Sequence, residues 1–409
     1  MKFDTVILGG GLSGLTAGIA LQKKGLRTVI VSAGQNALHF SSGSFDLLSR
    51  LPDGKEVQDP VKEASKLPEE HPYKKISGFA ALAQSVPSFF EEAGIKLHGD
   101  LHKNSLRLTP AGSWKSSWLS LEGCDSFQTK DEIAGKKILI VNFAGFPDFN
   151  TAFLAEGLEK EGCQVRIVAI STPEIDRLRQ SPSEMRSVNI ARVADMCWLK
   201  IADEIKALVK DDEAIILPQA FGLKDAGIPE RLKAKFKIPV YFIGTMPPSV
   251  PGIRTQMQLK KHFEALGGTF LMGDAAVSAT VEDGRILSVE ANNAGKLEAA
   301  EFILATGALF SQGLVSNMQK ISERLFGLDV EYPENRNDWY NPDFFSPQPY
   351  MEAGVKTDGE FRPLKDGQPL VNLHACGSIL AGSKALELGC GAGTAILTAL
   401  SVAGKITDK

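Results

Sequence analysis

The chain opens on a short apolar run, Phe3–Leu8 (FDTVIL), that ends in three consecutive glycines. Apolar positions then recur at Leu12, Leu15 and Ile19. The run suits a buried parallel strand, and the spacing of three and then four suits a helix with one buried stripe. Lys23 and Lys24 complement the negative end of that helix, and Gly25 stops it. Arg27–Val31 (RTVIV) supplies a second strand, which completes a β-α-β unit of about 30 residues.

Similar patterns return downstream. KKILIVNFAGFPDFN from Lys137 predicts strand, turn and helix, and CQVRIVAI from Cys163 predicts the next strand. AIILPQAFG at 214–222 and IPVYFIGTMPPSVPGIR at 238–254 read as two further strand ends, the second followed by a helix, TQMQLKKHFEALGG. SEMRSVNIARVAD reads as a helix carrying Arg186 and Arg192. From Ala275 the period shortens to two: AAVSATVE, a turn at Asp283-Gly284, RILSVEANN and LEAAEFILATG predict a three-stranded meander. NLHACGSI is one more short strand, and GCGAGT opens a last helix, AILTALSVAGKI. Residues 51–80, rich in Pro, Lys and Glu, read as a surface excursion. The expectation is an α/β chain in which 1–50, 265–320 and 350–409 form one Rossmann-like domain, 51–264 a large inserted α/β domain and 321–349 a connection.

The joint between the first strand and helix reads Gly9-Gly10-Gly11-Leu12-Ser13-Gly14, a G-x-G-x-x-G fingerprint in the right context. Gly9 permits the tight turn, Gly11 lets a phosphate approach the backbone, and Gly14 lets the helix lie close on the strand. The helix N-terminus then holds the phosphate through free N–H groups and its dipole. The same glycines also suit a bare packing turn. A carboxylate normally stands about 20 residues past such glycines to hold the adenosine ribose. Here that position is Ser32, which cannot make the charge-assisted pair. A shorter flavin ending in its own phosphate, FMN, is therefore expected, with FAD as the alternative.

Charge and cysteines narrow the class. Lys plus Arg number 45 against 49 Asp plus Glu, a net charge of −4, so no general basic field exists for nucleic acid. The five cysteines form no C-x-x-C pair and no Cys/His cluster, so no metal centre or iron–sulfur cluster is expected and a reducing, cytoplasmic setting is. No signal peptide and no membrane-spanning window are evident.

The remaining candidates lie at strand and helix ends. His39-Phe40-Ser41-Ser42-Gly43-Ser44 follows the second strand, at the edge where open α/β sheets bind ligands, and can lie along a flavin ring or simply cap a helix. Thr306-Gly307 and Gly377-Ser378 end strands, and Gly391-Ala392-Gly393-Thr394 opens the last helix, a second place for an anionic or carbonyl oxygen. His39 is the candidate base for a hydroxyl proton, and Arg254, delivered by Pro247, Pro248 and Pro251, the candidate cation for a substrate phosphate. Both also suit ordinary structural roles.

Taken in order, GGGLSGLTAG, HFSSGS, the strand ending in ATG, NLHACGSI and the closing GCGAG helix resemble the FAD/NAD(P)-binding Rossmann-like flavoprotein fold of glutathione reductase and the flavin subunit of succinate dehydrogenase. The stretches FDTVILGGGLSGL, ALHFSSGSFDLLS, RSVNIAR, PPSVPGIR, FGLDV and DFFSPQP resemble, over nearly the whole chain, the B-subunit family of anaerobic glycerol-3-phosphate dehydrogenase. That resemblance implies an FMN-carrying partner of the FAD-containing catalytic A-subunit, with an iron–sulfur C-subunit that anchors both to the cytoplasmic face of the inner membrane. It implies oxidation of sn-glycerol 3-phosphate to dihydroxyacetone phosphate, with electrons passing through quinone to fumarate or nitrate. The substrate would be met by the FAD-containing partner or by this chain. Carried over by motif, Gly9, Gly11 and Gly14 would hold the phosphate, Ser41, Ser42 and Gly43 the ring face, and Gly391 to Thr394 the pyrimidine oxygen. Ser378 departs from the wider fold, which has an aspartate there for the ribityl chain. The competing readings are a free-standing flavin- or NAD-dependent oxidoreductase and a flavin-free structural partner.

Overall fold

The structure is a computed structural model that describes residues 1–344 and 346–408, so Phe345 of the DFFSPQP stretch lies outside the described residues. It forms two compact units, one built from Met1–Ala37, Asp46–Ala93 and Gln256 onward, the other from Leu38–Phe45 and Gly94–Thr255.

In the first unit the opening pattern becomes β1 (Lys2–Leu8), α1 (Leu12–Lys23) and β2 (Thr28–Ser32). Val6, Ile7, Val29 and Ile30 are fully buried, as expected of parallel strands covered on both faces. The chain returns to this sheet as β3 (Thr269–Met272), β4 (Ala276–Glu282), β5 (Arg285–Ala291), β6 (Gly295–Leu304) and β7 (Leu373–Ala375), and ends in α2 (Gly391–Thr407). The strand order is β3-β2-β1-β6-β5-β4, with β7 also on β6. β6 changes partners along its length. Its start runs antiparallel to β5 from Gly295 to Glu298, and its end runs parallel between β1 and β7. The meander turns at Asp283 and Gly284, both at positive φ (46° and 71°), the type I′ geometry that favours an Asp-Gly pair. Buried Asn372 ties the strands: its amide N donates to the carbonyls of Ile286 and Ala300, and its amide O accepts from the Ile286 N–H.

The second unit holds a four-stranded parallel sheet in the order Val240–Ile243, Ala214–Pro218, Lys137–Phe143, Gln164–Ile170. Ile138, Leu139, Ile140, Ile215, Ile216 and Phe242 are fully buried in its core. Ser187–Leu208 is a single long helical segment broken at Cys197.

These boundaries differ from those expected. Residues 51–93 belong to the first unit, because Val61, Ala64, Leu67, His71, Tyr73 and Ile76 are buried although their neighbours are polar. Residues 321–349 also fall in the first unit, and the loop 38–45 falls in the second. The last helix of the inserted stretch starts earlier than expected, at Val250, so Arg254 lies within the helix Val250–Ala265.

Candidate flavin-binding site

Parallel register assembles the site. Leu8 pairs with Val31 and Leu304, and Leu304 pairs with Ala375. Residues 9–11, 305–307 and 376–378 therefore leave one sheet edge side by side, the edge where α/β folds bind ligands. Gly9 has φ +117°, and a Cβ there would run into the Ala305 carbonyl oxygen. A Cβ on Gly14 would run into the Gly9 carbonyl oxygen. Both glycines are thus required by the turn itself.

Gly11 is different. Its φ of −82° and ψ of −170° suit any residue, and an added Cβ would meet nothing closer than Asn36 Cβ at 3.7 Å. Gly11 is the N-cap of α1, yet no side chain caps that helix. Neither backbone angles nor neighbours require a glycine here; glycine is a favourable N-cap, and it leaves the N–H groups of the first turn open to a phosphate. The residues present therefore fit a flavin phosphate.

The N-terminus of α2 comes to the same edge. Gly377, at φ +80°, donates its N–H to Thr398 Oγ1 (2.9 Å), and a Cβ on it would strike Ser13 Oγ of α1 and lie 3.8 Å from Ala395 Cα of α2. Gly391 has only Ala385 Cβ near it, at 3.8 Å, and α2 likewise has no side-chain cap. Gly393 and Thr394, expected at the ligand, are turned inward instead. Gly393 makes room for the Tyr73 hydroxyl, and the fully buried Thr394 directs its own hydroxyl to Cys390 Sγ (3.7 Å).

A buried cluster that the sequence pattern did not suggest fixes this helix start. Tyr73 Oη donates to the Leu47 carbonyl at 2.8 Å. His71 Nδ1 accepts from the Tyr73 N–H (3.2 Å), which leaves Nε2 to donate to the Ser383 carbonyl (3.2 Å). Burial pulls the His71 pKa down to about 4 and pushes the Cys390 thiol up to about 12, so both are neutral at pH 7. The signal in the sequence is the motif His71-Pro72-Tyr73, hidden in a stretch whose composition reads as surface.

Other expected residues find varied places. Ser32 is buried and packs against Gly10, whose carbonyl accepts from Asn36 Nδ2 at 3.1 Å; no carboxylate ends β2. Thr306 Oγ1 is buried without a hydrogen-bond partner among the described residues, and Ser378 is exposed with its hydroxyl directed towards Gly307, 3.5 Å from an ideal Cβ there. His39, Ser41, Ser42, Gly43 and Arg254 belong to the second unit. There the Gly43 N–H donates to Ser41 Oγ (3.1 Å), Ser42 Oγ meets Ser44 Oγ (3.1 Å), and the His39 carbonyl accepts from Ser249 N. Arg254 is 5% exposed and spends its guanidinium on two backbone carbonyls, Gly222 (2.6 Å) and Glu122 (2.5 Å).

The FAD binding domain family matches residues 4–394 of the chain. The B-subunit of anaerobic glycerol-3-phosphate dehydrogenase from Yersinia pseudotuberculosis is 40% identical, over 100% of this chain and 99% of its own length. Its counterpart from Pectobacterium atrosepticum is 40% identical over 99% of both chains. The chain belongs to the B-subunit family of anaerobic glycerol-3-phosphate dehydrogenase. This agrees with the resemblance carried by FDTVILGGGLSGL, HFSSGS and the other stretches, and with an α/β flavoprotein fold. Among solved structures, 3-ketosteroid Δ1-dehydrogenase from Sterolibacterium denitrificans aligns over 100% of this chain and 99% of its own, at 10% identity and a TM-score of 0.44. Among the described residues of this family member, no helix is long and apolar enough to cross a membrane, and no group of three or more His, Cys, Asp or Glu could hold a metal ion.

Proposed function

We propose that the chain is the FMN-carrying member of a quinone-linked glycerol-3-phosphate dehydrogenase complex, working beside an FAD-containing catalytic partner and an iron–sulfur partner that holds both at the cytoplasmic face of the inner membrane. The complex oxidises sn-glycerol 3-phosphate to dihydroxyacetone phosphate and delivers the electrons to quinone. The observation that carries the cofactor reading is Gly11, a glycine required by neither its backbone angles nor its neighbours, at an uncapped helix start. A bound flavin supplies the exchange of electrons. The residues of this chain anchor its phosphate on the first-turn N–H groups of Leu12 and Ser13 and its polar ring edge at Gly391 and Ala392. Ser32 in place of a carboxylate favours FMN over FAD, since the adenosine ribose would find no charged acceptor at the end of β2. Electron transfer between two flavins requires no base, so His39 has no proton to move in this reading.

The test is recovery of the complex and of this chain by itself, with heat-released flavin identified by chromatography and dehydrogenase activity measured with an artificial acceptor. About one FMN per chain, and activity in the complex but not in the isolated chain, is the expected result. FAD at full yield would reverse the cofactor assignment. Glycerol-3-phosphate oxidation by the isolated chain would favour a free-standing enzyme, and a colourless folded chain a structural role.

A further inference from the structure

In the first unit Leu314–Ser316 and Ile321–Glu323 pair as a short antiparallel hairpin. Asn317 fixes its turn: the Asn317 N–H donates to the Lys320 carbonyl (3.0 Å), and its Oδ1 accepts from the N–H groups of Gln319 (2.8 Å) and Lys320 (2.9 Å). Met318 stands at the tip of this turn and is 87% exposed, more than any other large apolar side chain among the described residues. An open hollow of about 640 Å³ adjoins the hairpin, and Lys320, Arg324 and Lys356 line it.

Two carboxylates also line the hollow, but both are engaged by backbone N–H groups. Glu323 is 5% exposed and accepts from Leu325 (2.8 Å), Phe326 (2.8 Å) and Gly327 (3.0 Å). Asp329 accepts from Asp366 (3.1 Å) and Gly367 (2.8 Å). Val330 lines the hollow, while the charge of its neighbour Glu331 acts on Lys75. The three cations are exposed and take part in no ion pair or side-chain hydrogen bond among the described residues. Other surface lysines of the same unit are paired, as Lys384 is with Glu352 (3.2 Å) and Lys405 with Glu360 (2.7 Å). Free cations around a concavity whose carboxylates are already hydrogen-bonded focus positive potential on whatever approaches it.

We infer that the Met318 tip and the Lys320, Arg324 and Lys356 hollow seat this chain directly on an anionic phospholipid surface, with the cations on phosphodiester headgroups and Met318 in the boundary between headgroups and acyl chains. Charge complementarity alone would also admit an acidic protein segment or a free anion, but either would leave Met318 in water. A bilayer surface takes up both features. Three cations and one apolar side chain make a weak, reversible contact, half-formed at roughly millimolar lipid, which adds to an anchor rather than replacing one. The contact uses no residue of the glycine cradle, so it and the flavin reading fail separately.

Flotation of the full chain, free of partners, with vesicles of phosphatidylglycerol and of phosphatidylcholine tests this, alongside thermal melts of each variant. The chain should float with the anionic vesicles at low salt, stay behind with the zwitterionic ones, and be released in about 1 M salt, where charges are screened. Lys320→Gln, Arg324→Gln and Lys356→Gln should each weaken binding about fivefold, the triple variant about a hundredfold, and Met318→Ser roughly tenfold. Melting temperatures should not move, because these side chains make no polar contact within the unit. No flotation with phosphatidylglycerol, equal flotation with phosphatidylcholine, or unchanged binding by the triple variant overturns the inference. So does wild-type binding by Met318→Ser together with displacement by inorganic phosphate or a polyglutamate peptide at constant ionic strength, which would assign the hollow to a free anion or to an acidic protein segment.

Discussion

Replacing Gly11 by Ala separates a glycine kept for a ligand from glycines kept for the fold. At φ −82° and ψ −170° alanine is unstrained, and its Cβ meets Asn36 Cβ at an ordinary 3.7 Å. The cost to folding is then the N-cap preference of glycine over alanine, about 1 kcal/mol, which lowers the melting temperature by no more than about 2–4 °C. The methyl group stands where the phosphate must come closest. Loss of one charge-assisted hydrogen bond, about 1.5–3 kcal/mol, weakens the flavin roughly 10- to 150-fold. The assay is titration of stripped protein with FMN, followed by flavin fluorescence, with thermal melts on the same samples. Gly14→Ala is the contrast: its Cβ would meet the Gly9 carbonyl oxygen, so stability and flavin should be lost together. Wild-type FMN affinity in a folded Gly11→Ala protein would refute the phosphate assignment.

Gly391→Ala, whose Cβ would meet only Ala385 Cβ at an ordinary 3.8 Å, should lower flavin affinity or shift the flavin potential with little change in melting temperature; unchanged values for both would remove the start of α2 from the site. Asn372→Ala leaves the Ile286 N–H and the carbonyls of Ile286 and Ala300 without their buried partner, and urea melts should show a loss of about 3 kcal/mol. His71 has a folded pKa of about 4, below its ordinary 6.5, so its contribution to stability is full above pH 6.5 and is lost as pH falls towards 4. That contribution is about 3 kcal/mol, and His71→Gln should flatten this part of the stability–pH curve when melts of both proteins are compared.

Local pattern carried much of the fold. The opening β-α-β unit needs only FDTVIL, the glycines and the Leu12-Leu15-Ile19 stripe, and the Asp283-Gly284 turn fixes the hairpin by its own backbone preference. What stayed hidden depends on contacts between distant segments. His71 and Tyr73 sit in a polar stretch, and their burial follows from packing on Cys390 and Gly393, more than 300 residues away. Arg107 lies between Leu106 and Leu108, where alternation would turn it towards solvent; instead Leu106 is the partly exposed residue and Arg107 is buried. The glycines were legible as a motif, but their separate duties were not. Gly9 and Gly14 serve the turn, Gly393 serves Tyr73, and Gly11 and Gly391 have room for a Cβ at ordinary contact distance.

The most direct measurement is a crystal structure of the chain loaded with FMN. The account predicts phosphate oxygens within hydrogen-bond distance of the Leu12 and Ser13 backbone N–H groups, beside Gly11. Density for the phosphate at any other place would contradict it.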